Sequence, residues 1–93
     1  MDFEWDEAKR LANLAKHGVD FIDADAFDWL GAIRWRDDRR VYGEMRFAAL
    51  GTCRGRVHSI SFTMRGPIVR LISFRKANDR ETRRYEKEKA ARP

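Results

Sequence analysis

Residues 56–76 read RVHSISFTMRGPIVRLISFRK, two runs of strand-forming residues separated by Gly66-Pro67. In the first run apolar and polar residues largely alternate, which is typical of a strand with one buried face. The alternation assigns His58, Ile60 and Phe62 to the same face. The second run, residues 68–74, is apolar almost throughout, and the Gly-Pro pair marks a turn. The stretch therefore predicts a β-hairpin, to which the other predicted elements can be added.

The segments upstream of this hairpin predict two further strands. Residues 32–36 alternate as AIRWR, residues 37–40 are polar as in a turn, and residues 44–50 alternate before becoming apolar. Arg54-Gly55 marks the next turn. Short turns that contain glycine join neighbouring strands in antiparallel order, so these segments predict an antiparallel meander.

The N-terminus predicts a short edge strand followed by a helix. Residues 3–5 alternate, and Asp6 is a typical N-cap for a helix that should stop at Gly18. Apolar residues of this helix recur at helical spacing: Leu11, Leu14 and Ala15.

Two more helices are predicted. One starts after Asp20 and runs towards Trp29. Its apolar stripe consists of three residues: Phe21, Ala24 and Phe27. The other covers residues 80–90, where Tyr85 is the only large apolar anchor, so we expect this helix to dock weakly.

Together these elements predict an α+β fold with the order β-α-α-β-β-β-β-α in a single domain, residues 1–93. A small antiparallel sheet should have the two N-terminal helices packed on one face, and a C-terminal helix should follow the last strand. The second face of the sheet would then be partly open. If the two hairpin strands pair in simple register, Arg65 and Arg75 should project on the side of Thr63 and Ser73.

Composition bounds the class of protein. Of the 93 residues, 43% are hydrophobic and 38% are charged, which is enough apolar content for one core and argues against wholesale disorder. A single cysteine, Cys53, excludes a disulfide within the chain. With only His17 and His58 beside it, zinc sites of four cysteines or of two cysteines and two histidines are excluded too.

Hydropathy and the N-terminal sequence predict the location. No apolar run approaches the roughly 20 residues that a membrane-spanning helix needs. The N-terminus is acidic where a secretory signal would be basic. We therefore expect a soluble, cytoplasmic protein with no membrane partner.

Charge is distributed unevenly along the chain, whose net charge is +5. Residues 1–30 carry three basic and eight acidic side chains, residues 31–74 nine and three, and residues 75–93 eight and four. An acidic first third followed by a basic remainder predicts a surface that faces a polyanion such as nucleic acid. A basic surface that is merely solvated is the alternative at this point.

Three groups of residues form a family-like pattern. The N-terminal group is Phe3-Glu4-Trp5-Asp6, Lys9, Asn13, Lys16-His17-Gly18-Val19 and Phe21. The central group is Gly43-Glu44-Met45-Arg46. The C-terminal group is Thr63, Arg65-Gly66, Arg70-Leu71-Ile72-Ser73, Arg75-Lys76-Ala77, Glu81 and Tyr85. Together these groups resemble the BrnT family of toxins. The chain departs from the family pattern at Phe74, where the family tends to have a small residue.

This resemblance implies a type II toxin with a RelE-like ribonuclease fold, which cleaves RNA to arrest translation and growth. It also implies a BrnA-like antitoxin with a ribbon-helix-helix DNA-binding part, so that operator DNA would be reached only through the antitoxin. A non-catalytic module for nucleic-acid binding or protein interaction on the same fold is the alternative, because a fold alone does not decide function.

RNA cleavage without metal or other cofactor needs a base for the ribose 2′-OH, donors for the phosphate and an acid for the leaving oxygen. Arg65, Arg75 and Lys76 are the candidate phosphate ligands, because Arg in particular holds phosphate bidentately. His17 is the candidate for proton transfer. Its position at a helix C-terminus favours the protonated form, which would suit a general acid, although it could serve only to satisfy the last helical carbonyls.

The wider set of expected nucleic-acid-binding residues follows the basic segments and the resemblance. It consists of Lys16, Arg46, Arg65, Arg70, Arg75, Lys76 and Tyr85. Other readings stay open for single residues. His58 is more typical of a core or edge histidine, Trp35 could stack on a base or contact an antitoxin, and Glu81 could be a base or a simple surface carboxylate.

Overall fold

The computed structural model describes residues 1–92. In chain order its elements are β1 (Phe3–Glu4), α1 (Glu7–His17), a 3-10 helix (Phe21–Ala26), β2 (Ile33–Arg36), β3 (Phe47–Cys53), β4 (Arg56–Arg65), β5 (Ile68–Lys76) and α2 (Asp79–Ala90). The predicted α+β class is confirmed, and the order of elements agrees once the 3-10 helix takes the place of the second α-helix. Strand β3 starts and ends three residues later than predicted, because residues 44–46 belong to the preceding loop.

The sheet has five strands in the order β1-β5-β4-β3-β2 and is mixed. The four strands from β2 to β5 are antiparallel, as their short turns predicted, but β1 pairs in parallel with β5. The prediction of a purely antiparallel sheet was therefore wrong for β1. A tight turn fixes the direction of consecutive strands only, and β1 is joined to β5 by no such turn.

A β-bulge in β5 decides which side chains share a face. Ser61 pairs with Ser73, whereas the next residue, Phe62, pairs with Leu71, so Ile72 has no partner in β4. The extra residue inverts the alternation of everything that follows in β5. Arg75 consequently stands opposite Ser59. The predicted placement of Arg65 and Arg75 on one side is confirmed, but through this bulge and not through simple hairpin register.

One face of the sheet, hereafter the core face, packs against α1 and the 3-10 helix. Between this face and the two helices, the largest fully buried side chains are Phe21, Ile60, Leu71 and Phe74. Trp29 is also buried, and its indole nitrogen donates to the Ala24 carbonyl at 2.8 Å. Burying each of these large side chains contributes about 1.5–3 kcal/mol, so this layer holds the fold together.

The second N-terminal helix is a 3-10 helix over Phe21–Ala26 and does not reach Trp29, which corrects the predicted α-helix. The apolar residues explain the difference, because their spacing is three: Phe21, Ala24 and Phe27 are 0%, 1% and 3% exposed. A 3-10 helix has three residues per turn and brings such positions to one side. Its N-cap is Asp20, whose side chain accepts from the Ile22 amide.

Helix α1 docks through a polar side chain and not through its apolar stripe. Leu11 and Leu14 are 53% and 37% exposed, while Asn13 is the only residue of the helix that is buried. The Asn13 amide donates to the Phe74 carbonyl at 2.7 Å and accepts from the Phe74 amide at 3.1 Å. Strand β1 pairs only with residues 69–70 of β5. At Phe74, where the edge of β5 has no neighbouring strand, Asn13 therefore supplies the hydrogen-bond partner for the backbone.

The second face of the sheet is covered by α2 at one end and open beside it. Tyr85 anchors the helix, as predicted, in a small buried cluster with Ile33, Leu50, Val57 and Ala77. Asn78 is the N-cap and forms a capping box with Glu81. Within residues 1–92, neither α-helix is long and apolar enough to cross a membrane.

Candidate nucleic-acid interface

The open part of the second face holds a groove of about 220 Å³ between the sheet and α2. We call it the arginine groove, and its lining residues are Trp35, Arg39, Ala48, Ser59, Ser61, Arg75, Glu81 and Arg84. Three arginines and one carboxylate line the groove, and each arginine is paired with a carboxylate in or beside it: Arg75 with Glu81, Arg84 with Glu88 and Arg39 with Asp37. Two serine hydroxyls on its floor can donate to an anion as well.

Arg75 is held in the groove by a bidentate ion pair with Glu81. The two guanidinium nitrogens donate to the two carboxylate oxygens at 2.7 and 3.0 Å. The pair lowers the pKa of Glu81 and raises that of Arg75, so both groups are charged at neutral pH. Glu81 is itself fixed, because it also accepts from the backbone amide of its N-cap, Asn78, at 3.0 Å.

The ion pair leaves part of the Arg75 guanidinium available. A guanidinium has five N–H donors. Three hydrogen bonds are formed here, two to Glu81 and one of 3.3 Å to the Lys76 carbonyl. The remaining donors can bind an oxyanion without breaking the contacts that orient the side chain.

Helix α2 contributes a second arginine through its sheet-facing side. Residues 81, 84, 85 and 88 are spaced three and four apart and share one side of the helix. With Tyr85 buried, Arg84 is placed over the ring of Trp35, with its guanidinium carbon 4.0 Å from the centroid. Arg84 also forms a 3.3 Å ion pair with Glu88. The stacked guanidinium covers one face of the indole ring at the side of the groove.

Arg39 completes the group of arginines and is positioned by Asp37. Its guanidinium donates two hydrogen bonds of 2.8 Å to that carboxylate, which also accepts from the Tyr42 hydroxyl at 3.1 Å. These contacts hold the pKa of Asp37 far below its ordinary value. The Asp37 side chain is 5% exposed, whereas that of Arg39 is 79% exposed. Asp37 thus fixes the guanidinium of Arg39, while most of the arginine side chain stays open to solvent.

His17 lies at the end of α1, in a shallow depression at the outer edge of β5 that Lys16, Ile72 and Ser73 also line. Its pKa is lowered, first by desolvation and then by the positive charges of Lys16 and Arg75. This direction is opposite to the one expected from the helix position, because burial and the two neighbouring cations disfavour the charged imidazole. A neutral imidazole at neutral pH accepts a proton more readily than it donates one.

Lys76 leaves the sheet on the face opposite to Arg75. Adjacent residues of a strand point to opposite faces, and Lys76 stands across from His58. The structure thus separates two neighbouring candidates for phosphate binding. Arg75 faces the arginine groove, and Lys76 lies beside a pocket at the end of the sheet.

Arg65 and Arg70 share the second face with Arg75 but lie further along the hairpin. Arg65 is exposed next to the turn and lies six positions along β4 from Ser59, which is opposite Arg75. Six residues span roughly 20 Å, so Arg65 and Arg75 cannot bind the same phosphate. Arg70 is half-buried and is paired with Glu4.

The other expected nucleic-acid-binding residues lie outside the arginine groove. Lys16 is exposed beside His17. Arg46 stacks over the Tyr42 ring at 4.2 Å in the loop before β3. Tyr85 is 8% exposed and anchors α2.

Arg39 and Arg84 were not among the site residues predicted from the sequence. The sequence does contain a signal for Arg84. This residue lies three positions after Glu81 and one before Tyr85, so it is on the side of α2 that packs against the sheet when Tyr85 is buried. No local pattern marks Arg39, which enters the groove only because Asp37 and Tyr42 fold the loop back. Among residues 1–92, no cluster of three or more His, Cys, Asp or Glu side chains is arranged to hold a metal ion.

An arginine-lined groove on the open sheet face of a basic α+β protein is a surface of the kind that can bind phosphate groups. The comparison of sequences is more specific. Residues 5–81 match the family described as "Ribonuclease toxin, BrnT, of type II toxin-antitoxin system", and the chain belongs to that family. The resemblance noted from the sequence is thereby confirmed. A type II system pairs such a toxin with a protein antitoxin. Among curated proteins, no sequence matches this chain.

Proposed function

We propose that this protein is a metal-independent endoribonuclease whose RNA substrate lies in the arginine groove. The observation that carries the proposal is Arg75, which Glu81 fixes beside the serines of the groove while two of its five donors stay free. An oriented guanidinium stabilises the charge that develops on a phosphate during attack by the 2′-oxygen. Arg84 and Arg39 are proposed to bind neighbouring phosphates.

His17 is proposed to accept the proton of the attacking 2′-OH. Its lowered pKa supports this role, because the imidazole is then neutral at physiological pH. Its position at the edge of β5, within the field of Arg75, supports it too. Binding of the phosphate by Arg75 and acceptance of the proton by His17 would then occur on adjoining surfaces.

We propose that a longer stretch of RNA follows the second face of the hairpin. Arg75, Arg70 and Arg65 lie on this face in succession over roughly 20 Å. Positive side chains at such spacing track a nucleic-acid backbone without reading its sequence. Lys16 and Arg46 would contribute to the field around this path, and Tyr85 would act by holding α2 in place.

The identity of the partner is proposed from the resemblance. A BrnA-like antitoxin with a ribbon-helix-helix part would neutralise the toxin in the cytoplasm and would itself contact operator DNA. An acidic segment that lies across the arginine groove would block RNA and match its charge. In cells, expression of the toxin alone should stop growth, and co-expression of its antitoxin should restore it.

The decisive experiment is RNA cleavage by purified protein in the presence of EDTA. The wild type should cleave, and Arg75→Ala should be slower by about 100-fold or more, as for removal of one transition-state donor. Arg84→Ala should also weaken cleavage, whereas Arg83→Ala is the matched control, an exposed arginine of the same helix outside the groove. Circular dichroism should show that all variants fold.

Three outcomes would contradict the proposal in different ways. RNA binding without cleavage would favour the non-catalytic module. Cleavage that requires added magnesium would refute metal independence. Equal losses in Arg83→Ala and Arg84→Ala would show that the groove has no special role.

A further inference from the structure

A second basic pocket lies at the end of the sheet, on the core face and away from the arginine groove. Its volume is about 270 Å³. We call it the sheet-end pocket, and it is lined by Gly18, Val19, Asp23, Cys53, Arg54, Arg56, His58 and Lys76. The turn between β3 and β4, the end of β5 and the residues after α1 meet here.

His58 is a buried side chain of this pocket with an unused ring nitrogen. The residue is 7% exposed, and its Nδ1 lies 2.8 Å from the Arg56 carbonyl oxygen. A carbonyl can only accept, so Nδ1 carries the hydrogen and donates it. Nε2 of this ring has no hydrogen-bond partner within residues 1–92, yet it is not fully buried, so it can be reached from the pocket.

The charges around His58 specify an anion. The one carboxylate of the lining, Asp23, is paired with Arg54 at 3.3 Å. Arg56 and Lys76 form no ion pair within the described residues. Burial raises the pKa of the Cys53 thiol, which therefore stays neutral and adds no negative charge. Two uncompensated cations are donors suited to a phosphate group. With its hydrogen on Nδ1 donated to the Arg56 carbonyl, the His58 ring offers only an acceptor at Nε2 and lines the pocket beside these cations.

The pocket and the arginine groove are joined through β5. Arg75 faces the groove and Lys76 is the very next residue, on the other face of the same strand end. RNA bound at Arg75 would therefore lie only one residue of β5 away from Lys76 and the sheet-end pocket.

We propose that the sheet-end pocket is a second phosphate subsite, which binds a backbone phosphate of the RNA through Lys76 and Arg56. This inference rests on the proposed function, since it assumes that RNA occupies the arginine groove. It assigns Lys76 to RNA positioning outside the groove. His58, which packs against the Phe74 ring 5.5 Å away, lines the same pocket, so its ring resonances report on occupancy of the pocket.

The test follows the ring resonances of His58 by NMR in the full-length protein. Two probes are titrated separately: inorganic phosphate, and a 2′-O-methyl RNA decamer without terminal phosphates, which lacks the attacking hydroxyl. Both should shift the His58 signals in a saturable way. Lys76→Ala and Arg56→Ala should each weaken phosphate binding by about tenfold, as loss of one charge-assisted hydrogen bond predicts. Arg83→Ala should bind like the wild type, and thermal unfolding checks that each variant is folded.

The outcomes separate this inference from the proposed function. If EDTA-resistant cleavage is found but neither probe shifts His58, the subsite is refuted while the ribonuclease proposal stands. If inorganic phosphate binds through Lys76 and Arg56 but the decamer leaves His58 unchanged, the ligand is a free phosphate and the RNA path is refuted. Shifts that persist equally in both variants would indicate an adventitious ion only.

Discussion

The carboxylate of Glu81 in α2 accepts two hydrogen bonds, of 2.7 and 3.0 Å, from the guanidinium of Arg75 in β5. The contact joins the C-terminal helix to the sheet and sets the direction of the central arginine of the groove. The same carboxylate closes the capping box of α2. One side chain thus couples the stability of the helix to the geometry of the candidate site.

Replacing Glu81 by glutamine should lower stability in a pH-dependent way. The folded-state pKa of Glu81 lies below its ordinary value of 4.5 because of Arg75, so its contribution is present above pH 4.5 and is lost as the pH falls through the lowered pKa. Urea denaturation should show a difference of about 1 kcal/mol from the wild type at pH 7 that shrinks towards pH 3. Glu86→Gln, at an exposed position of the same helix, is the control. A difference that is independent of pH would contradict this account.

Asn13→Leu should destabilise the fold although it adds an apolar side chain. The substitution leaves the amide and carbonyl of Phe74 without their partners in a buried setting, which costs about 2–3 kcal/mol in free energy of unfolding. Denaturant titration measures the loss, and the Phe74 amide should exchange faster with solvent. Lys9→Ala, an exposed change on α1, should have little effect. A neutral Asn13→Leu would mean that the strand edge needs no partner.

The rate of RNA cleavage should rise with pH and level off before neutrality. His17 accepts a proton only when it is neutral, and its pKa lies below its ordinary value of 6.5 because of desolvation and nearby cations. The pH profile of kcat/KM should therefore have an ascending limb with a midpoint below pH 6.5. His17→Asn should remove this limb and lower the plateau. An activity that falls as the pH rises through this range would assign His17 to the acid role instead.

RNA affinity should fall steeply with salt, and one groove arginine should account for a defined part of the slope. For single-stranded nucleic acid, each neutralised phosphate contributes about 0.7 to the slope of log K against log salt. Arg84→Ala should reduce the slope by that amount, as measured by fluorescence anisotropy with an uncleavable 2′-O-methyl RNA. The neighbouring Arg83→Ala should leave the slope unchanged. Equal slopes for all three proteins would place the phosphate contacts elsewhere.

The antitoxin should cover the arginine groove. Hydrogen exchange of free and antitoxin-bound protein should show protection in β2, at the end of β5 and in α2, because these elements border the groove. The alternative surface is the acidic N-terminal part, residues 6–30, where Leu11 and Leu14 are exposed. Protection confined to that part would mean that inhibition does not work by covering the groove.

Several features were predictable because their causes are local in the sequence. The Gly66-Pro67 turn and the alternation before it predicted the hairpin, Asp6 and Gly18 predicted the ends of α1, and Tyr85 predicted how α2 is anchored. Each depends on the conformational preference of a few neighbouring residues. The family was likewise readable from short motifs.

The sequence by itself thus determined the class of fold, the family and the excess of basic side chains in residues 31–93. The tertiary structure decided which of those groups meet. An unpaired Ile72 turns Arg75 towards the second face, Asn13 replaces a strand partner for Phe74, and Arg84 stacks on Trp35. These outcomes depend on strand register and on contacts between residues far apart in the chain, and neither is encoded in local spacing.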